Sequence, residues 1–330
     1  SLGLMLGHEG SGELVDAALK GLRGELHDDK NGGWYAGVTQ EGGIVPNKQC
    51  YAHAFVILAA SSALTAGRPG AKELLEEALD VYDQHFWNEE EGLACDTWNT
   101  EFTVLDDYRG LNANMHTVEA FLAAGDVTGD KKYHIRAGRI IDHVIRWAED
   151  NSWRIPEHFT KEWVADLDCN YDRPDDPFKP YGATPGHGIE WARLITQWAL
   201  ANCGEEKEKL ENYLQAAENL YTTAIKDGWD VDGAPGIVYT TDWQGKPVVH
   251  DRMHWTLAEA INTSAVLYHV TGREKYAKDY AEFMKYLDEV VMDHENGSWF
   301  HQLDQENNLL ETVWPGKSDI YHALQATLIP

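Results

Sequence analysis

The feature that most constrains this chain is an alternation between two kinds of helix. Segments 49–66, 112–124, 186–202, 254–270 and 318–328 are apolar on most faces, as in helices buried all round. Segments 13–26, 71–86, 130–147, 206–225 and 274–290 carry a single apolar stripe; in 71–86 it runs through Leu74, Ala78, Leu79, Tyr82 and Phe86. The first kind reads as inner helices and the second as outer helices with one wet face. The order repeats with a pitch of roughly 60 to 70 residues, which means stacked supersecondary units. Val127-Thr128-Gly129 with Lys132-Tyr133 returns as Val270-Thr271-Gly272 with Lys275-Tyr276, each time between an inner helix and its outer partner. Gly-rich aromatic turns follow the outer helices, among them Gly32-Gly33-Trp34-Tyr35 and Gly297-Ser298-Trp299-Phe300, and short hairpins are expected there. The expected fold is all-α, an (α/α)6 barrel of alternating inner and outer helices with short β-hairpins in the loops. No polar capping repeat of the kind an open solenoid needs is present, nor any Pro/Ser-rich linker, so residues 1–330 are expected to form one domain. The chain opens Ser-Leu-Gly-Leu-Met-Leu-Gly without an initiating Met, and the sixth outer helix is expected to precede Ser1.

Composition narrows the function. Asp and Glu number 55 against 27 Lys and Arg, a net charge of -28 that repels polyanions and argues against a nucleic-acid partner. Residues 52–60 are the most apolar run, too short for a span and broken by His53, so no membrane partner is expected. Cys50, Cys95, Cys169 and Cys203 are scattered singly with no CxxC, which suggests neither a zinc knuckle nor a disulfide framework and points to a reducing cytoplasm.

The starts of the inner helices collect the residues able to do chemistry: Tyr51 and His53; Asn112, Asn114 and His116; His187 and Glu190; His254, Trp255 and Glu259; and, after Trp314, His322. Each His alone is more often held by a backbone carbonyl than catalytic; their recurrence at one end of parallel helices is the signal. His187 follows Pro185-Gly186, a helix start with Pro in the first turn, where the helix dipole disfavours imidazolium and keeps the ring able to act as a base. Glu190, three residues on, can orient that ring or bind a hydroxyl, with a capping box as the structural alternative. There is no HExxH, no GxGxxG before a helix and no Walker sequence, so neither a metal nor a nucleotide cofactor is expected.

Four segments then carry a resemblance. They are Asn112-Ala113-Asn114-Met115-His116 with Glu119-Ala120-Phe121; Pro185-Gly186-His187 with Glu190-Trp191-Ala192-Arg193; Arg252-Met253-His254-Trp255 with Ala258-Glu259-Ala260; and Trp314-Pro315-Gly316-Lys317 running into Asp319 to Ala326. In order and spacing the chain resembles the N-acylglucosamine 2-epimerase superfamily, in its aldose–ketose isomerase branch. The resemblance implies an (α/α)6 barrel enzyme that takes a free monosaccharide and needs no metal or cofactor. It implies that His187 and His322 are paired catalytic histidines. His322 would shuttle a proton between C2 and C1, and His187 would assist ring opening and transfer at the oxygens, with Glu190 and His116 in support. It also implies that Tyr51, Asn112, Trp255, Glu259 and Trp314, with Phe178, hold the sugar. The family's Arg-bearing segment, which opens its first inner helix, falls before Ser1.

The chemistry accounts for these residue types on its own terms. Removing a proton alpha to a carbonyl needs a positioned base with a pKa near the working pH, and the cis-enediol that forms needs donors at its oxygens. Isomerisation returns the proton on the same face, so one base suffices; 2-epimerisation needs a base on each face. The expected reaction is D-mannose to D-fructose, with D-lyxose a further substrate; a mannose 2-epimerase is the alternative on the same scaffold. A glycoside hydrolase is a second alternative, drawn from the acidic stretch Asp166, Asp168, Asp172, Asp175 and Asp176, and a catalytically inert sugar-binding protein is a third.

Overall fold

Helices whose residues are apolar on every side can only be stable when covered on every side, and that requirement organises the structure. A computed structural model describes residues 1–39, 41–313 and 315–328. Among the described residues there are eleven α-helices and only strands of two or three residues, so the chain is all-α as expected. The helices are α1 (Leu2–Met5), α2 (Ser11–Arg23), α3 (Cys50–Thr65), α4 (Ala71–His85), α5 (Leu111–Thr128), α6 (Lys131–Asp150), α7 (Pro185–Asn202), α8 (Lys207–Gly228), α9 (His254–Thr271), α10 (Glu274–Tyr286) and α11 (Ile320–Ala326). The expected outer segment 274–290 ends differently: after Tyr286 the last turn widens into a π-turn, Leu287–Val291.

The trace divides into two compact units, Ser1–His143 with Phe159–Val164, and Val144–His158 with Ala165–Pro330. In the first, inner helices α3 and α5 pack on each other and outer helix α4 packs on α3. In the second, inner helices α7, α9 and α11 follow one another, with α8 on α7 and α10 on α9. The sorting follows from pattern. In α5 and α7 most residues are buried, whereas α4 buries Ala71 and its Leu74, Leu75, Ala78, Leu79 and Tyr82 stripe. Each such Leu or Phe withdrawn from water contributes roughly 1.5–3 kcal/mol.

The sequence echoes are structural devices. In both Val-Thr-Gly repeats the glycine ends the inner helix in the left-handed conformation, Gly129 at φ 74 and Gly272 at φ 66, and the threonine hydroxyl donates back to the last turn. The aromatic turns prove to be one longer repeat, Asp-x-x-Asn-Gly-x-Trp-aromatic, at 28–35 and 293–300. In each, the first Asp accepts from the backbone N–H groups two and three residues on, and the Asn amide donates to its second oxygen. A lysine just before the next inner helix completes each loop. Lys48 pairs with Asp28 at 2.9 Å under the Tyr35 ring, and Lys317 pairs with Asp293 under the Phe300 ring.

Lys48 and Asp28 are both fully buried. Burial opposes ionisation of Asp28, but Asn31, Lys48 and the backbone amides outweigh it and hold the carboxyl well below its usual range. A folded-state pKa below the unfolded one means the stabilisation is complete above the unfolded value, about 3.9, and is lost as pH falls through the folded value. Urea unfolding measured from pH 7 down to pH 2 is therefore expected to show an acid-side loss of stability that is smaller in Asp28→Asn. An unchanged pH dependence would contradict the role given to this pair.

Candidate active site

The first turn of α7 is built to receive an aromatic ring. Pro185 opens the helix with its fixed φ, and Gly186 follows. A Cβ on Gly186 would sit 2.6 Å from the Trp255 ring, so only glycine lets the indole lie against this turn. The His187 ring stands 5.0 Å from that indole, at 32° to its plane. Its Nδ1 lies 3.0 Å from Oε1 of Glu157, a buried carboxylate on the loop after α6. Glu190, expected to orient this ring or bind a hydroxyl, lies 3.5 Å from Arg193 Nη2, and α7 has no side-chain cap, which removes the capping-box reading.

The second histidine also neighbours Trp255. The His322 ring, carried by the short α11, is 5.8 Å from the indole at 34°. Its Nδ1 lies 3.0 Å from Oε1 of Glu259, whose other oxygen accepts from Arg193 Nε at 2.8 Å. Glu190, Arg193, Glu259 and His322 thus form one chain of alternating charge, joined by an ion pair between Glu190 and Arg193 and by hydrogen bonds from Arg193 to Glu259 and between Glu259 and His322. Burial opposes ionisation of Glu259, and the Arg193 guanidinium together with His322 overcomes it, leaving the carboxyl below its usual range. Both Glu259 oxygens are engaged and the residue is fully buried, so it holds His322 where the sequence reading had it holding a sugar hydroxyl. Tyr239 approaches the indole edge-on at 6.3 Å.

The two histidines are therefore matched. Each gives Nδ1 to a buried carboxylate, which leaves Nε2 with its lone pair when the ring is neutral. Their side chains keep 16% and 14% exposure while the carboxylates are buried, so the imidazoles are the reachable ends of the two relays. Two fixed bases over one indole can move protons on a small molecule packed on that ring.

The other expected residues separate into distinct sets. In the first unit Tyr51, on α3, lies edge-on to the His116 ring at 5.1 Å, with Phe55 against both, and His116 Nδ1 lies 3.2 Å from Glu119. Asn112 is half-buried in the first turn of α5 with its carbonyl oxygen unpartnered. His53 follows the structural reading: it accepts from Trp34 N–H, contacts the Gln49 carbonyl through Nδ1, and burial pushes its pKa down to about 3. Asn114 bonds the Ala94 backbone in both directions. Phe178 is 72% exposed on the loop before α7. Trp314 lies outside the described residues. Glu157, Arg193 and Tyr239 were not singled out from sequence. Arg193 offered a signal, as a cation one turn from Glu190 inside an otherwise apolar helix; Glu157 sits on an aperiodic loop and offered none.

Residues 1–326 match the family model described as N-acylglucosamine 2-epimerase. A D-mannose isomerase of Pseudomonas cannabina pv. alisalensis is 44% identical over 325 residues, covering 98% of this chain and 78% of that protein. A D-mannose isomerase of Thermobifida fusca is 43% identical over 329 residues, covering 98% and 79%. The crystal structure of a D-mannose isomerase superposes with TM-score 0.86 at 30% identity, covering 95% of this chain and 80% of that one. These likenesses put the chain in the all-α class of (α/α)6 barrels that the helix alternation predicts.

Proposed function

The chain belongs to the N-acylglucosamine 2-epimerase family, and from that premise we propose that it is an aldose–ketose isomerase converting D-mannose to D-fructose. The observation that carries the reading is the pair of carboxylate-anchored imidazoles, His187 and His322, that both neighbour the Trp255 ring. The names of the relatives at 44% and 43% identity support the substrate.

In the proposed reaction the sugar packs an apolar face on Trp255 and opens to its aldehyde, with His187 passing the ring-oxygen proton. His322 Nε2 removes the proton from C2. The C2 electrons form the C1–C2 double bond of a cis-enediol as the carbonyl oxygen takes a proton from the His187 imidazolium, which recovers that proton when the C2 hydroxyl is deprotonated in the last step. The proton held by His322 then returns to C1 on the same face, and the C2 hydroxyl loses its proton to leave the ketone. Anionic Glu259 stabilises the imidazolium that forms on His322, and Glu157 does the same for His187; both are positioning residues. His116, Tyr51 and Asn112 keep the supporting and sugar-holding roles that the family resemblance gives them. No helix among the described residues is long and apolar enough to cross a membrane. The four cysteines are free thiols, which fits the reducing cytoplasm proposed as the compartment.

Incubation of the purified protein with D-mannose, followed by chromatographic separation of the sugars, is expected to give fructose as the main product. Glucose without fructose would mean that the proton returns on the opposite face, and the isomerase reading would fall to the epimerase one. Release of reducing ends from oligosaccharides, with no conversion of mannose, would replace both by a hydrolase.

A further inference from the structure

A second histidine cluster adjoins the one just described, with the His254 ring 6.1 Å from that of His322. The strand Arg252–Met253 pairs antiparallel with Gln302–Leu303, in the register Met253 to Gln302, and the ladder continues through a bond from His254 N–H to the His301 carbonyl at 3.1 Å. The backbone therefore sets His254 and His301 side by side, with ring centroids 4.6 Å apart. Asp319, which caps α11 by accepting from Tyr321 N–H, brings its carboxylate to the same place. One donor atom from each of the three residues lies within 4.8 Å of the others.

We infer that His254, His301 and Asp319 form a binding site for a divalent transition-metal ion, zinc being the ion best suited to two imidazoles and a carboxylate. His254 is 3% exposed, and neither of its ring nitrogens has a hydrogen-bond partner. A buried imidazole without a well-formed hydrogen bond is costly and calls for a ligand. Its Nε2 lies 3.4 Å from Asp319 Oδ2 without hydrogen-bond geometry. That separation suits two ligands of one ion, because donors at about 2.0–2.1 Å and a tetrahedral angle stand about 3.4 Å apart. Three protein donors would leave a fourth position for water.

The three donors come from the head of α9, the strand end at His301 and the cap of α11. α11 is short and buries only Ala326, so its own packing holds it weakly. A bound ion would fasten this helix, and with it His322, to the body of α9. The site is a tether, with no step of sugar chemistry passing through it, and its test needs no substrate.

The full chain, stripped with EDTA, would be titrated with Zn²⁺ against a chromophoric competitor and, separately, with Co²⁺. Uptake of about one Zn²⁺ per chain is expected, with the intense visible bands of tetrahedral Co²⁺. His301→Ala and Asp319→Asn should each weaken binding by about two orders of magnitude. Hydrogen exchange across residues 319–326 should slow on adding Zn²⁺ to the wild type. No stoichiometric uptake by the wild type, or only the weak bands of octahedral Co²⁺, would overturn the site whatever the variants do. So would variants that keep wild-type circular dichroism and wild-type affinity.

Discussion

His322→Ala is expected to lower kcat for conversion of mannose to fructose by about 10³-fold, within the range that a positioned general base supplies. The argument rests on what the imidazole does and on what its removal leaves behind. His322 offers the free Nε2 of a ring fixed by Glu259, and without it the C2 proton would have to pass to water, which has no fixed place over that carbon. The sugar would still meet the same Trp255 face, so KM should change far less than kcat. Such a split separates a lost base from a damaged pocket. Single-turnover measurements on a variant with native circular dichroism would decide, and retention of a tenth or more of the activity would remove His322 from the proposed proton path. His187→Ala should be severely impaired as well, because ring opening would lose its relay.

Arg193→Met is expected to be the most damaging single change to the relay. Arg193 is 3% exposed and lies between Glu190 and Glu259, both buried. Removing the cation while keeping an apolar side chain of similar length leaves two carboxylates in a dry interior without the guanidinium they share. Breaking buried ion pairs in this way costs about 3–5 kcal/mol. Burial would then push Glu259 towards its neutral form, and His322 would lose the anion that steadies its protonated state. Thermal unfolding should show Tm lower by on the order of 10 °C, and activity should fall beyond what the loss of stability explains. The double variant Arg193→Met/Glu259→Gln should recover part of the stability without the activity, since it removes one unbalanced charge but not the defect at His322. An unchanged Tm in the single variant would mean that the relay contributes little to the fold.

Residue by residue, the legible part of this protein is the part written in periodicity. Segment 186–202 read as a buried helix and is one; 71–86 read as half-buried and buries the expected stripe. The Val-Thr-Gly echoes read as junctions and are helix ends. The aromatic turns were legible as a repeat, but the lysines that complete them were not, because Lys48 and Lys317 lie 20 and 24 residues from their carboxylates. Among the site residues, His187, His322 and Trp255 were found because each sits near the start of an inner helix. Glu190 and Glu259 were singled out as well, but their shared partner Arg193 was not.

Sequence alone determined which helices are buried, where they end, and that imidazoles recur at their starts, because hydrophobic period and end signals act over a few residues. Only the tertiary structure decided which carboxylate serves which histidine. Glu157 is 30 residues from His187 and Glu259 is 63 from His322. Pairings over such distances are fixed by how whole helices pack and by the need to give every buried charge a partner, and neither condition leaves a local mark on the chain.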